Sequence, residues 1–282
     1  MGLLSVLTEV AIFIVSACLV ASIAFIGPAR LLELRSEAIP RLLDSKRLIA
    51  VLLVVLVTNG LIRDATQNLS WVFGWNVTPL IRQIEGGVVI YIQSFATPLL
   101  TAYFSYIYVF GYAFLLIFPF LAYLSLSDQT HFRSLVLAYT LNYGLGLLCY
   151  LLFIAYGPRN SFGPGLVESL LFDTYPQFQF LTRSVNVPTN VFPSLHTSLS
   201  ATVALLAFHT RREYPIWLWV STVLAVSVFI STMYLGIHWL LDVLAGLVLA
   251  VVSVEGARRY VKTGSFIGRS STDSDESAEV RS

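Results

Sequence analysis

Long charge-free apolar runs alternate along the chain with short clusters of arginine and acidic residues. That alternation predicts membrane-crossing helices joined by charged turns. The runs are residues 10–29, a shorter stretch at 48–61 between Arg47 and Arg63, then 86–127, 134–158, 184–210, 214–241 and 243–254. A helix of about 20 apolar residues crosses a bilayer. The 86–127 run is therefore read as one crossing over 100–125 behind an interfacial stretch. Pro98 and the tyrosine-rich 103–112 suit a helix entering through a headgroup belt. Residues 63–85, with Trp71 and Trp75, are expected to lie on the membrane surface as an amphipathic helix. The expected fold class is all-α: a polytopic transmembrane helix bundle of about seven spans.

Basic residues orient that bundle. Arg30, Arg35, Arg41, Lys46 and Arg47 lie between spans one and two, Arg211 and Arg212 between spans five and six, and Arg258, Arg259 and Lys262 after span seven. Seven spans bring all three clusters to one side, which the positive-inside rule makes cytoplasmic. The N-terminus is then outside and the C-terminus inside, and the 157–193 loop, His196 and His238 share the outer face. Eight spans would divide the basic clusters between the two sides. Three parts are expected: N-terminal spans with an interfacial helix at 1–95, a membrane core carrying the chemistry at 96–256, and a cytoplasmic tail at 257–282. The tail's Ser, Asp and Glu content at 264–282 suits disorder.

Composition agrees with a membrane protein. Of 282 residues, 56% are hydrophobic and 12% charged, against about 25% charged in a soluble domain. A net charge of +1 gives no electrostatic case for nucleic acid. Cys18 and Cys149 both sit in apolar runs, which suits packing and suggests neither a disulfide framework nor a zinc site. The first apolar run lacks a basic leader and reads as a span rather than a cleaved signal.

Two stretches place histidine at the mouth of an apolar segment. In Phe192-Pro193-Ser194-Leu195-His196, serine is a good helix cap and proline suits a helix start, so His196 falls in the first turn, near an anion-attracting terminus. A capped helix with an incidental interfacial histidine fits the same residues. In the 231–242 stretch, Gly236 can end one span and His238 can open the next, with Asp242 one turn along on the same face. An unpaired carboxylate at that depth is costly, and pairing removes the cost while making His238 more basic. A purely structural His–Asp pair fits as well. His131, His209 and Glu9 read as residues at helix ends or the interface, and there is no P-loop, dinucleotide fingerprint or Cys/His metal pattern.

Pro193, Ser194 and His196, with Ser231, His238 and Asp242, resemble the second and third signature motifs of the type 2 phosphatidic acid phosphatase superfamily, Pro-Ser-x-His and Ser-Arg-x5-His-x3-Asp. The resemblance covers about residues 130–255. The wording Pro-Ser-Leu-His, and Ser-Thr-Met-Tyr-Leu ahead of His238, is similar to the inositol phosphorylceramide synthase branch. The resemblance implies that His238 attacks phosphorus to form a phosphohistidine and that Asp242 orients it. It implies that His196 protonates the leaving oxygen and that Ser194 contacts phosphate. It implies a lipid phosphate substrate drawn from the membrane and, in the transferase branch, a polyol acceptor such as inositol. No metal or other cofactor is implied.

The chain departs from the family in two places. Thr232 stands where the third motif has arginine, and the first motif, Lys-x6-Arg-Pro, is absent. Arg159, in Tyr156-Gly157-Pro158-Arg159-Asn160, is the nearest substitute for a phosphate-clamping cation, with Arg183 of the same loop as a second candidate. A snorkelling interfacial arginine fits Arg159 equally well. A site with fewer cations favours a phosphodiester-like substrate over a dianionic monoester, and so headgroup transfer over hydrolysis. Two other classes stay open. One is a lipid-binding or transport protein with a dead site. The other is a metal or haem site on His196, His238 and Asp242.

Overall fold

The computed structural model describes residues 3–163, 165–179 and 188–264. It is a helical bundle, and five helices are long and apolar enough to cross a membrane: Leu4–Ile26, Pro98–Leu124, Thr130–Leu152, Pro215–Tyr234 and Leu240–Thr263. The other two expected spans fall in shorter helices, Lys46–Leu61 of 16 residues and Leu195–His209 of 15. At 1.5 Å per residue these rise about 24 and 22 Å, less than the roughly 30 Å hydrocarbon core. Large apolar side chains such as Ile12, Val54, Trp219, Val223 and Val248 point outward. In water that surface would be unfavourable; against lipid it is matched.

Helix Leu195–His209 packs against Leu240–Thr263, Pro215–Tyr234, Thr130–Leu152 and Pro98–Leu124. Glycine permits the closest approaches. A Cβ on Gly246 would lie 2.5 Å from the Ser194 carbonyl oxygen, and one on Gly146 would lie 2.7 Å from Leu195 Cδ2. Small residues at such crossings let backbones approach where no hydrophobic effect drives helices together. The Pro98–Leu124 helix carries a π-turn at Ile107–Gly111, which includes Tyr108.

Ion pairs gather at one rim. Arg30 binds Glu213, Arg133 binds Asp44, and Glu255 receives both His209 and Arg258. Arg41 is buried and donates to the Leu124 carbonyl at 3.0 Å as well as to Glu33. Exposed pairs of this kind add little stability. They do show that the basic clusters flanking the expected spans meet at one end of the bundle.

Two sequence expectations need correcting. Residues 63–85 form two helices rather than one surface helix, Arg63–Phe73 and Thr78–Glu85, separated by Gly74 and a short strand. That strand, Trp75–Asn76, pairs in parallel with Phe153–Ile154. A Cβ on Gly74 would lie 2.5 Å from the Ser70 carbonyl and 3.0 Å from that of Leu151, so the chain turns there against the core. Residues between the first two expected spans form a further helix, Pro28–Asp44, with proline in its first turn. The last helix runs through Thr263 and ends at Gly264 with φ 71°. Basic residues in its final turns complement the helix dipole, and a left-handed glycine closes it. Residues 265–282 lie outside the described residues, as does Arg183.

Candidate active site

The site lies where three chain segments meet at the end of the bundle away from the ion pairs. Ser194 caps its helix, its side-chain oxygen accepting from the Thr197 N–H at 3.3 Å. Its own N–H donates to the Asp242 carbonyl at 3.0 Å. The second motif is thus tied directly to the third. His196 in the following turn stacks on Tyr108, with centroids 4.7 Å apart, and lies 4.5 Å from Tyr112. Tyr108 comes from the π-turn, a feature common beside functional sites.

Helix Pro215–Tyr234 stops at a turn in which Gly236 has φ 71°, and the N–H groups of Ile237 and His238 both donate to the Thr232 carbonyl. The Thr232 hydroxyl donates to Phe229 at 2.8 Å. Thr232, at the position of the motif arginine and a candidate substrate contact, fixes the His238 backbone through its carbonyl, while its hydroxyl donates to its own helix. Ser231 is likewise bonded to Val228.

Past the turn, His238 Nδ1 faces Asp242 Oδ2 at 3.4 Å, and the same oxygen accepts the Trp239 N–H at 2.8 Å. Asp242 is fully buried, and its Oδ1 has no partner among the described residues. Asp242 thus faces the imidazole on its Nδ1 side. The His196 and His238 rings have centroids 6.1 Å apart, close enough for one tetrahedral group to meet both.

Arg159 completes the cluster. Its N–H donates to the Gly236 carbonyl, its guanidinium lies 4.5 Å over the Phe172 ring, and its buried Nη1 has no hydrogen-bond partner among the described residues. A buried guanidinium nitrogen without an acceptor is costly, and an anion supplies the acceptor. Gly157 brings this loop in: a Cβ there would lie 2.3 Å from the Ile237 carbonyl oxygen.

Burial, reinforced by the Arg159 charge and opposed by a hydrogen bond to the Val191 backbone, pushes the His238 imidazole down to about 3. His238 is therefore neutral at neutral pH, the reverse of the more basic ring expected from its pairing with Asp242, because burial outweighs that pairing. The unfolded ring takes up a proton as pH falls through about 6.5. The folded ring resists until about 3, so the unfolded state binds more protons between these values and stability declines as pH drops through that window. The Tm should fall between pH 7 and pH 4.5, and it should fall less in His238→Gln.

Two residues that the sequence reading passed over hold the His238 turn. Glu85, buried to 8% exposure, accepts the Leu240 N–H at 2.9 Å and also the Leu241 N–H. Gln93 donates to the Tyr234 and Glu168 carbonyls and accepts the Glu168 N–H. Neither belongs to a motif, and no local signal in the sequence marks either one. Among the described residues, no group of three or more His, Cys, Asp or Glu is arranged to hold a metal ion.

Buried histidines, a paired aspartate and a guanidinium nitrogen without a partner among the described residues gather at one mouth of a helical bundle of integral-membrane type. The chain belongs to the PAP2 superfamily, whose model matches residues 87–255, a family of membrane phosphatases and related phosphoesterases. It is 28% identical over 163 residues to an uncharacterized protein of Methanocaldococcus jannaschii, covering 58% of this chain and 63% of that one. It is 44% identical over 64 residues to the bacitracin transport permease protein BcrC of Bacillus licheniformis, covering 23% and 30%. The matches thus span less than two thirds of either relative's length. No solved structure matches the chain.

Proposed function

We propose that the protein is a membrane phosphotransferase or phosphatase acting on lipid phosphates or lipid phosphodiesters through a phosphohistidine on His238. The observation that carries this reading is the pairing of a neutral, Asp242-held His238 with Arg159, whose buried Nη1 lacks an acceptor. In the forward step the His238 nitrogen forms a bond to phosphorus while the bond to the leaving oxygen breaks. His196 gives that oxygen its proton, and Asp242 stabilises the developing cation through Nδ1. In the second step water or an alcohol gives its proton to His196 and attacks phosphorus, and the nitrogen–phosphorus bond breaks. Ser194 and Arg159 hold the phosphate oxygens, with Arg183 as a further candidate. Neither step calls for a metal ion or other cofactor.

Headgroup transfer is favoured over hydrolysis because Thr232 removes one cation, leaving less charge to neutralise a dianionic monoester. A cavity of about 600 Å³ beside Tyr156, lined by Asn76, Arg82, Gln83 and Asn160 among others, offers amide and guanidinium groups to a polyol acceptor such as inositol. With the ion-paired rim cytoplasmic, the site faces the outer leaflet, the N-terminus is outside, and Lys46–Leu61 and Leu195–His209 count among seven spans. The core at 96–256 carries the chemistry, behind N-terminal spans at 1–95.

A second reading, transport or binding without turnover, draws on the name of the Bacillus relative and on the missing family cations. Purified protein in detergent with EDTA, given a lipid phosphate and a phosphodiester lipid with and without inositol, separates these readings. A new inositol-containing lipid is the expected product. Free phosphate from the monoester alone would make the protein a phosphatase, and no turnover of any donor would favour the binding reading.

A further inference from the structure

Glu85 stands at the C-terminus of its own helix, Thr78–Glu85, where the dipole disfavours an acid. It is buried, and no ion pair to it is found among the described residues. Burial raises its carboxyl, and two backbone N–H groups oppose that rise. What compensates is the start of another helix: Leu240 and Leu241 are the first two residues of Leu240–Thr263, and their N–H groups have no partner within the helix. Eight residues on, at the end of helix Val88–Gln93, Gln93 spends its amide on Tyr234, the last residue of the preceding helix, and on Glu168. One short segment therefore grips both ends of the turn that carries His238. Within the turn, the Thr232 carbonyl and Asp242 take the N–H groups of Ile237, His238 and Trp239.

We propose that Glu85 and Gln93 form a bracket that positions His238 for attack, with Glu85 lying outside the family-matched residues and Gln93 within them. Neither touches the reacting atoms; both act through the backbone of residues 234–241. The terminus of Leu240–Thr263 would otherwise be a natural anion site. With Glu85 seated there, substrate phosphate is left to Arg159 and the Ser194-capped terminus.

This inference rests on the proposed phosphohistidine role, so its test needs one readout that involves no turnover. Full-length Glu85→Gln, Gln93→Leu and the double variant are compared with wild type in the same detergent. Hydrogen–deuterium exchange of the peptide spanning 234–242 should speed up in each variant, with the rest of the chain and the Tm little changed. The kcat should fall about tenfold or more with KM within about twofold, because misplacement of a reacting group by about an ångström can cost a hundredfold. The double variant should lose little more than the worse single, since releasing either end frees the turn. Unchanged exchange in that peptide in both single variants overturns the bracket even if no donor is turned over. Unchanged kcat in both, with wild type active, overturns the positioning role. Faster exchange throughout with a collapsed Tm overturns it too, in favour of plain stabilisation. If wild type turns over no donor while exchange rises locally, the bracket stands and the phosphohistidine reading falls.

Discussion

His238→Gln is expected to abolish turnover of every lipid phosphate donor, by at least about a thousandfold, while leaving the fold intact. Loss of a covalent nucleophile is among the largest single effects known for enzymes. Glutamine keeps much of the side chain's bulk and can still donate toward Asp242, so the buried carboxylate is not stranded. Asp242 also keeps the Trp239 N–H at 2.8 Å. The variant should elute and melt close to wild type at pH 7 and should still bind a lipid phosphate. Residual activity above a few per cent, with a normal melting profile, would remove His238 from the chemistry.

Replacing Arg159 with alanine is expected to lower kcat/KM by about a hundredfold or more, the scale of removing one charged group that meets developing charge on phosphorus. Arg159→Lys should recover part of the loss, because lysine restores the charge but not the planar two-point contact. The pH profile should move as well. The Arg159 charge helps hold the His238 imidazole low, so without it His238 protonates at higher pH and residual activity should disappear earlier on the acid side. Equal activity of the alanine variant and wild type would remove Arg159 from the phosphate-binding groups.

Some of this arrangement was legible in the sequence for simple physical reasons. Charge-free runs locate the long crossings because charges are excluded from hydrocarbon, and Pro98–Leu124 sits within two residues of the expected 100–125 crossing. The pairing of His238 with Asp242 appears at 3.4 Å, but His238 lies in the turn ahead of Leu240–Thr263 and folds back onto the helix's first turn rather than sharing a helical face with Asp242. The serine cap of the second motif is a local preference and appears as read.

What was not legible depends on distant partners. Residues 63–85 show a helical pattern, but Gly74 breaks it because the backbone there meets Leu151. The short ladder to Phe153–Ile154 has no sequence signature at two residues per strand. Glu85 reads as one more surface acid until a helix terminus 155 residues away is brought to it. Thr232 looks like a weakened phosphate contact in a motif alignment; only the local hydrogen bonds give it a backbone role.

The central claim is a covalent phosphoryl group on His238. Wild-type protein would be mixed briefly with a lipid donor labelled at phosphorus, quenched in alkali, and digested for peptide mapping. The expected result is label on the peptide containing His238, stable to alkali, lost on mild acid treatment, and absent from His238→Gln. Turnover by wild type with no label on that peptide at any quench time, or label that persists in His238→Gln, would contradict the account.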